Sequence, residues 1–234
     1  MHLARFAMVL WCASGTVALA QEYVIVDDFE RYDLGAAPPA WRIPNRNVGR
    51  MTPIPPDHSQ PNDYAIVFRD GTNKVLRAYT KNESVQIALP QGDGLTWSLN
   101  VHPRLRWRWK ALKLPSGARE DVSDSNDTGA ALYVGFDCDD WLGRPCIIKY
   151  TYSSSLDVGT VATYGKLRAL VLATAADGLG KWHIMERNVV TDYQRLFGEP
   201  PPGNPRFVML WSDTDNTGSE ADVYFDDLML LPEG

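Results

Sequence analysis

Short runs in which every second residue is apolar, each closed by Gly, Pro, Asn or Asp, recur along most of the chain from residue 23 onward. Successive side chains of a strand point to opposite faces, so this rhythm predicts half-buried strands. The candidates are Tyr23–Phe29, Tyr64–Arg69, Val75–Tyr79, Ser84–Leu89, Leu95–Val101, Leu105–Leu114, Ala130–Phe136, Ile147–Tyr152, Leu167–Ala173, Trp182–Glu186, Phe207–Ser212 and Ala221–Leu231. That many short strands predict an all-β, single-domain, jelly-roll-like β-sandwich. Two stretches break the rhythm. Residues 36–63 carry seven prolines and read as an irregular segment, long enough to suggest a functional flap. In 189–197 the apolar residues fall three and four apart before Gly198 and Pro200, which predicts one short helix with a hard stop.

The first 20 residues have a different character. His2 and Arg5 precede an apolar run from Phe6 to Cys12, and Ala18-Leu19-Ala20 ends the segment. This pattern predicts a signal peptide over 1–20, cleavage before Gln21, and a single domain over 21–234 that is periplasmic or extracellular. No stretch reaches ~18 apolar residues, so no stable membrane insertion is expected. The remaining cysteines, Cys138 and Cys146, are close in sequence, and in an exported chain such a pair is expected to form a disulfide. With 29 acidic against 23 basic residues, the formal charge of -6 speaks against a general nucleic-acid binder. No oligomeric state follows from the sequence.

One strand carries a concentrated charge. Alternation puts Leu105, Trp107 and Trp109 on one face and Arg104, Arg106, Arg108 and Lys110 on the other. Four like charges in a row are unfavourable unless anions compensate them. Either an anionic ligand or acids on neighbouring strands can do so, and Lys149 and Arg168 extend the row. Trp41, Trp97, Trp141, Trp182, Tyr150, Tyr152 and Tyr164 offer planar surfaces on which sugar rings stack. Trp141, inside the tight Cys138–Cys146 loop, is the ring singled out as a ligand platform.

Several strings resemble a bacterial family known as domain of unknown function 3047. They are Leu105-Arg106-Trp107-Arg108-Trp109-Lys110, Leu114-Pro115-Ser116-Gly117-Ala118, Ile148-Lys149-Tyr150, Val189–Gly198, and Asp213 with Thr214-Asp215-Asn216-Thr217-Gly218. The resemblance runs from about Val75 to the C-terminus and implies export and an all-β fold, without an activity. The two ends, Val26-Asp27-Asp28-Phe29-Glu30 and Tyr224-Phe225-Asp226-Asp227-Leu228, are similar to the first and last strands of jelly-roll carbohydrate-binding modules. In such modules these ends meet and often hold a structural calcium ion. Converging carboxylates suit that cation, with Glu30 and Asp226 as the expected ligands. Asp213–Gly218 begins like a calcium loop but departs from it at Thr217 and Tyr224, so a turn between the last two strands explains it equally well.

Catalytic signals are sparse. The residues after the signal segment hold three histidines, His58, His102 and His183, and no G-x-S-x-G, H-E-x-x-H or P-loop. Arg108, Lys149, Tyr150 and His183 form the set that would suit a polysaccharide lyase, a cation neutralising a uronate while Tyr or His moves protons. The expected function is a carbohydrate-binding β-sandwich for an anionic glycan, with Arg106, Arg108, Lys149, Trp141 and Asp213 at the ligand. A polysaccharide lyase or glycoside hydrolase, and a structural or protein-interaction domain, are the alternatives.

Overall fold

A computed structural model describes residues 22–44, 51–55, 60–138 and 144–234. The expected signal segment and Trp141 lie outside the described residues. Among the described residues fourteen strands run in chain order: β1 Val24–Asp27, β2 Arg42–Pro44, β3 Met51–Pro53, β4 Asp63–Asp70, β5 Asn73–Lys81, β6 Ser84–Pro90, β7 Arg104–Lys113, β8 Thr128–Phe136, β9 Cys146–Ser153, β10 Val161–Tyr164, β11 Leu167–Thr174, β12 His183–Asn188, β13 Phe207–Asp213 and β14 Glu220–Leu231. Among the described residues there is one α-helix, α1, at Val189–Phe197. The strands form a six-stranded sheet in the order β12-β7-β14-β5-β4, with β1 on β14, and an eight-stranded sheet in the order β10-β11-β9-β8-β13-β6-β2-β3. This is a β-sandwich of jelly-roll type.

The period-two pattern becomes the layer between the sheets. Leu105, Trp107 and Trp109 of β7 are fully buried. They meet the inward side of β9, where Trp107 lies 5.4 Å from the Tyr150 ring and Trp109 5.9 Å from Tyr152. Because the core takes every second residue, the Arg and Lys between them must face outward. The helix follows its caps. Asn188 Oδ1 accepts the Thr191 amide at 3.0 Å, and Gly198 closes the other end at φ 83°, a left-handed turn that suits glycine. Its buried face fills the gap beside β9: Tyr193 packs edge-on against Phe136 at 4.8 Å, and the Tyr150 hydroxyl donates to Asp192 at 2.9 Å.

Three expectations change in detail. Leu95–Val101 is a connection that buries Leu95, Trp97 and Leu99, and the Gln91 side chain binds both the amide and the carbonyl of Trp97 in place of a strand partner. The proline-rich segment contributes the short strands β2 and β3 to one edge of the eight-stranded sheet. The loop after β13 does not turn back beside it, since β13 and β14 belong to different sheets and residues 214–219 cross between them. The chain ends do meet, with Val24 opposite Leu230. Cys138 and Cys146 are joined in a disulfide with Cα atoms 5.6 Å apart.

Candidate functional site

The sandwich offers two outer faces, and their charges behave differently. On the six-stranded sheet the basic row of β7 is neutralised by the protein itself. Arg108 reaches Asp226 at 2.5 Å and Asp227 at 2.9 Å, and lies 4.6 Å over the Trp182 ring. Lys110 pairs with Asp70 at 2.5 Å and sits 4.8 Å over Tyr224. Arg104 pairs with Glu186, and Arg77 binds Asp222 through two contacts at 2.9 and 2.6 Å. Arg106 has no ion pair among the described residues. Cations thus cover the rings of Trp182, Tyr224 and Phe68, so these aromatic surfaces are used within the fold. Of the two accounts of the basic row, internal pairing is the arrangement seen.

Asp226 is 2 % exposed, and burial, reinforced by Asp227, pushes its carboxyl up to about 6 against the opposing pull of Arg108. Arg108→Ala would leave that carboxyl buried without its cation. The expected loss is about 2 kcal/mol of stability, that of a charge-assisted hydrogen bond, read as a lower melting temperature, with glycan affinity unchanged.

The eight-stranded sheet carries a second apolar cluster on the side away from the sandwich core. Ala88, Ala131, Tyr133, Phe207 and Met209 are buried in it, and Trp211 packs against it half-buried. Gly135 lies opposite Phe207 in the ladder, and a Cβ there would collide with the Phe207 ring. The rings of Tyr133 and Trp211 stack at 5.2 Å and 27°. Lys149 stands opposite Tyr133 in register, with its Nζ 5.7 Å from the Tyr133 ring. It is 6 % exposed and has no ion pair or hydrogen bond among the described residues. Burial draws its ammonium below the usual lysine range, opposed by Glu120, Asp213 and Asp127.

Those three acids border the same face. Glu120 is buried in the β7–β8 connection and accepts hydrogen bonds from Thr151 Oγ1 at 3.0 Å and Ser153 Oγ at 2.6 Å. Asp213 ends β13, two residues beyond Trp211 and therefore on the same face. Burial, then Asp215 and Asp127, push its carboxyl up to about 7, and Lys149 opposes them. The oxygens of Asp127, Asp213 and Asp215 lie within 4.8 Å of one another, close enough to hold a metal ion. Asp127 already accepts from the amides of Asn216 and Thr217 at 3.1 and 2.7 Å and from Thr217 Oγ1 at 2.5 Å. A calcium ion here would draw mainly on Asp213 and Asp215 and would need backbone carbonyls and waters to complete its six to eight oxygens.

The residues expected at a site fall in several places. Lys149 and Asp213 share the face just described, while Arg106 and Arg108 lie on the opposite sheet. The set Arg108, Lys149, Tyr150 and His183 is not assembled. Adjacent Lys149 and Tyr150 point to opposite faces of β9, Tyr150 into the core, and His183 contacts the Tyr152 hydroxyl at 3.3 Å at the sandwich edge. Glu30 and Asp226 do not form a ligand pair. Glu30 accepts the Lys74 amide at 2.8 Å, and Asp226 is held by Arg108. Trp41 and Trp97 are core residues. Tyr133, Trp211, Glu120 and Asp127 were not foreseen, and Asp215 was named only within the calcium-like string Asp213–Gly218. The signal for one of them existed, since alternation in Phe207–Asp213 puts Trp211 and Asp213 on one face.

A model of the family described as "Protein of unknown function (DUF3047)" matches residues 51–229, starting ahead of the Val75 from which the sequence motifs run. No curated protein matches the chain. Among solved structures the chain is similar to the family 11 carbohydrate-binding module of the cellulase Lic26A-Cel5E of Clostridium thermocellum, at 10% identity and TM-score 0.45, covering 92% of this chain and 97% of that one. It is also similar to the CBM22-1 xylan-binding domain of Paenibacillus barcinonensis Xyn10C, at 12% identity and TM-score 0.39, covering 92% and 99%. A third similarity is to the endoglucanase cel12A of Rhodothermus marinus, at 11% identity and TM-score 0.37, covering 72% and 80%.

Proposed function

The chain belongs to the DUF3047 family, and from its fold and site we propose that it binds an anionic glycan on the outer face of the eight-stranded sheet. The observation that carries this reading is the stacked Tyr133–Trp211 pair beside Lys149, a nearly buried cation with no ion pair or hydrogen bond among the described residues. The apolar C–H face of a sugar stacks on an indole, and a few polar groups then fix its orientation. The Lys149 ammonium lies in the field of Glu120, Asp213 and Asp127 but has no direct ion pair among the described residues, and a uronate carboxylate on the ligand supplies a charge-assisted contact. The disulfide and the signal-like start support an exported protein that meets such polymers outside the cytoplasm.

Native electrophoresis through gels loaded with polygalacturonate or with a neutral β-glucan tests the reading. Retardation by the uronate polymer is expected, and Lys149→Met should weaken it about tenfold or more, the effect of losing a charge-assisted contact of ~1.5–3 kcal/mol. The sign of the pH effect follows from Asp213. Below about 7 it holds a proton; above that it ionises beside Lys149, competes for the ammonium and repels the uronate. Affinity should therefore fall as pH rises through 7. Normal mobility of the wild-type protein in both gels would refute glycan binding.

A further inference from the structure

Building on this binding reading, we infer that the bound chain continues off the outer face into a cleft between β11 and α1, where Lys166 and Arg168 take a second carboxylate. The ligand is then a polyuronate, charged at successive sugars, rather than a glycan with an isolated acid. The cleft has a volume of about 790 Å³, and its lining includes Cys138, Cys146, Lys166, Arg168, Phe197 and Pro200. Ligand pockets range over ~300–1,000 Å³.

Arg168 is held in place without being neutralised. Its Nε donates to the Leu196 carbonyl at 3.3 Å, and its Nη1 to those of Gly165 and Leu167 at 2.8 and 3.1 Å. The guanidinium lies 4.9 Å over the Phe197 ring. Among the described residues Nη2 has no hydrogen bond, and neither Arg168 nor Lys166 has an ion pair. Of the acids on the same lining, Asp137 pairs with Arg206 at 3.0 Å, and the exposed Glu199 pairs with neither cation. On the other sheet, by contrast, Arg77, Arg104, Arg108 and Lys110 each have a carboxylate. A guanidinium with two N–H groups uncommitted, two residues from an ammonium, suits a carboxylate. Because Arg168 is already ordered, capturing that carboxylate costs little side-chain entropy. The Phe197 ring is taken by Arg168 and by Tyr193, stacked at 4.4 Å. The cleft therefore offers charge, and the stacking of sugars stays with Trp211.

The outer face and the cleft are continuous. Ile147 and Leu167 stand opposite each other on β9 and β11, and both pack against the cluster that holds Tyr133. The same two residues, with Tyr164 and Lys166, line a hollow of about 260 Å³, which shares Gly165 and Lys166 with the cleft. Trp211 is level with Ala131, and Leu167 is level with Ile147 and Gly135. The path between them crosses β8 and β9 on the diagonal, ~20 Å at ~4.8 Å per strand and ~3.4 Å per residue. One sugar ring cannot cover that distance, whereas an oligosaccharide can.

The test titrates the full chain by calorimetry with oligogalacturonates of increasing length, and with the same oligomers fully methyl-esterified. Affinity should rise about tenfold or more once the chain reaches both sites, the effect of one added charge-assisted contact. Lys166→Met and Arg168→Gln should each abolish that gain and leave the affinity for short oligomers unchanged. The Lys166 side chain makes no hydrogen bond among the described residues, so its variant should keep the wild-type melting curve. Trp211→Ala should lower affinity at every length. An affinity that does not rise with length, a gain retained in both cation variants, or a gain that survives esterification would each overturn the second subsite while leaving the binding reading in place. No binding at any length would overturn both.

Discussion

Trp211→Ala is expected to weaken glycan binding by ten- to a hundredfold, about 1.4–2.8 kcal/mol, while the fold persists. Trp211 is half-buried and stacks on the buried Tyr133, so its ring is the less enclosed part of that stack and the one a ligand can reach. Its Nε1 donates to no acceptor, so removing it orphans no partner. The matched control is Trp182→Ala on the six-stranded sheet. That ring already carries Arg108 at 4.6 Å and Lys110 at 5.0 Å, so its loss should leave affinity unchanged. Titration of both variants by calorimetry separates the two faces. Equal losses, or a loss confined to Trp182→Ala, would move the site to the other sheet.

Asp192→Ala should produce the largest change in stability. The Asp192 carboxylate is 2 % exposed and receives Arg187 Nε at 2.7 Å, Arg187 Nη2 at 2.5 Å and the Tyr150 hydroxyl at 2.9 Å. Removing it strands a part-buried guanidinium and a fully buried hydroxyl at the joint between α1, β9 and β12. Breaking a buried pair from one side costs about 3–5 kcal/mol, a large share of the ~5–15 kcal/mol that holds a domain together. Denaturant unfolding should show a midpoint lowered accordingly at unchanged slope. A change below ~1 kcal/mol would mean that the helix is not anchored through this pair.

The layer order was legible in the chain because the core of a sandwich takes every second residue. Leu105, Trp107 and Trp109 could be assigned inward from one strand alone. The helix was equally readable, since its caps are local. What neutralises Arg108 was not readable from β7. Asp226 and Asp227 reach it only because β14 lies beside β7 with its register shifted between Asp226 and Met229. Lys149 and Asp213 were found as single residues, but their shared face depends on β9, β8 and β13 lying side by side, a pairing of distant segments. The same pairing creates the Tyr133–Trp211 stack. Tyr150 failed as a partner of Lys149 for the simplest reason, that neighbours along a strand face apart. Glu30 and Asp226 were expected together because the end strands meet. They do meet, but Lys74 and Arg108, from other strands, take the two carboxylates first.

Nitrogen-15 NMR of the indole N–H groups during titration with an oligogalacturonate places the ligand most directly. The account predicts that the Trp211 resonance moves in a saturable way while those of Trp107, Trp109 and Trp182 stay fixed. A saturable shift of Trp182 with Trp211 unmoved would contradict it and put the glycan on the six-stranded sheet.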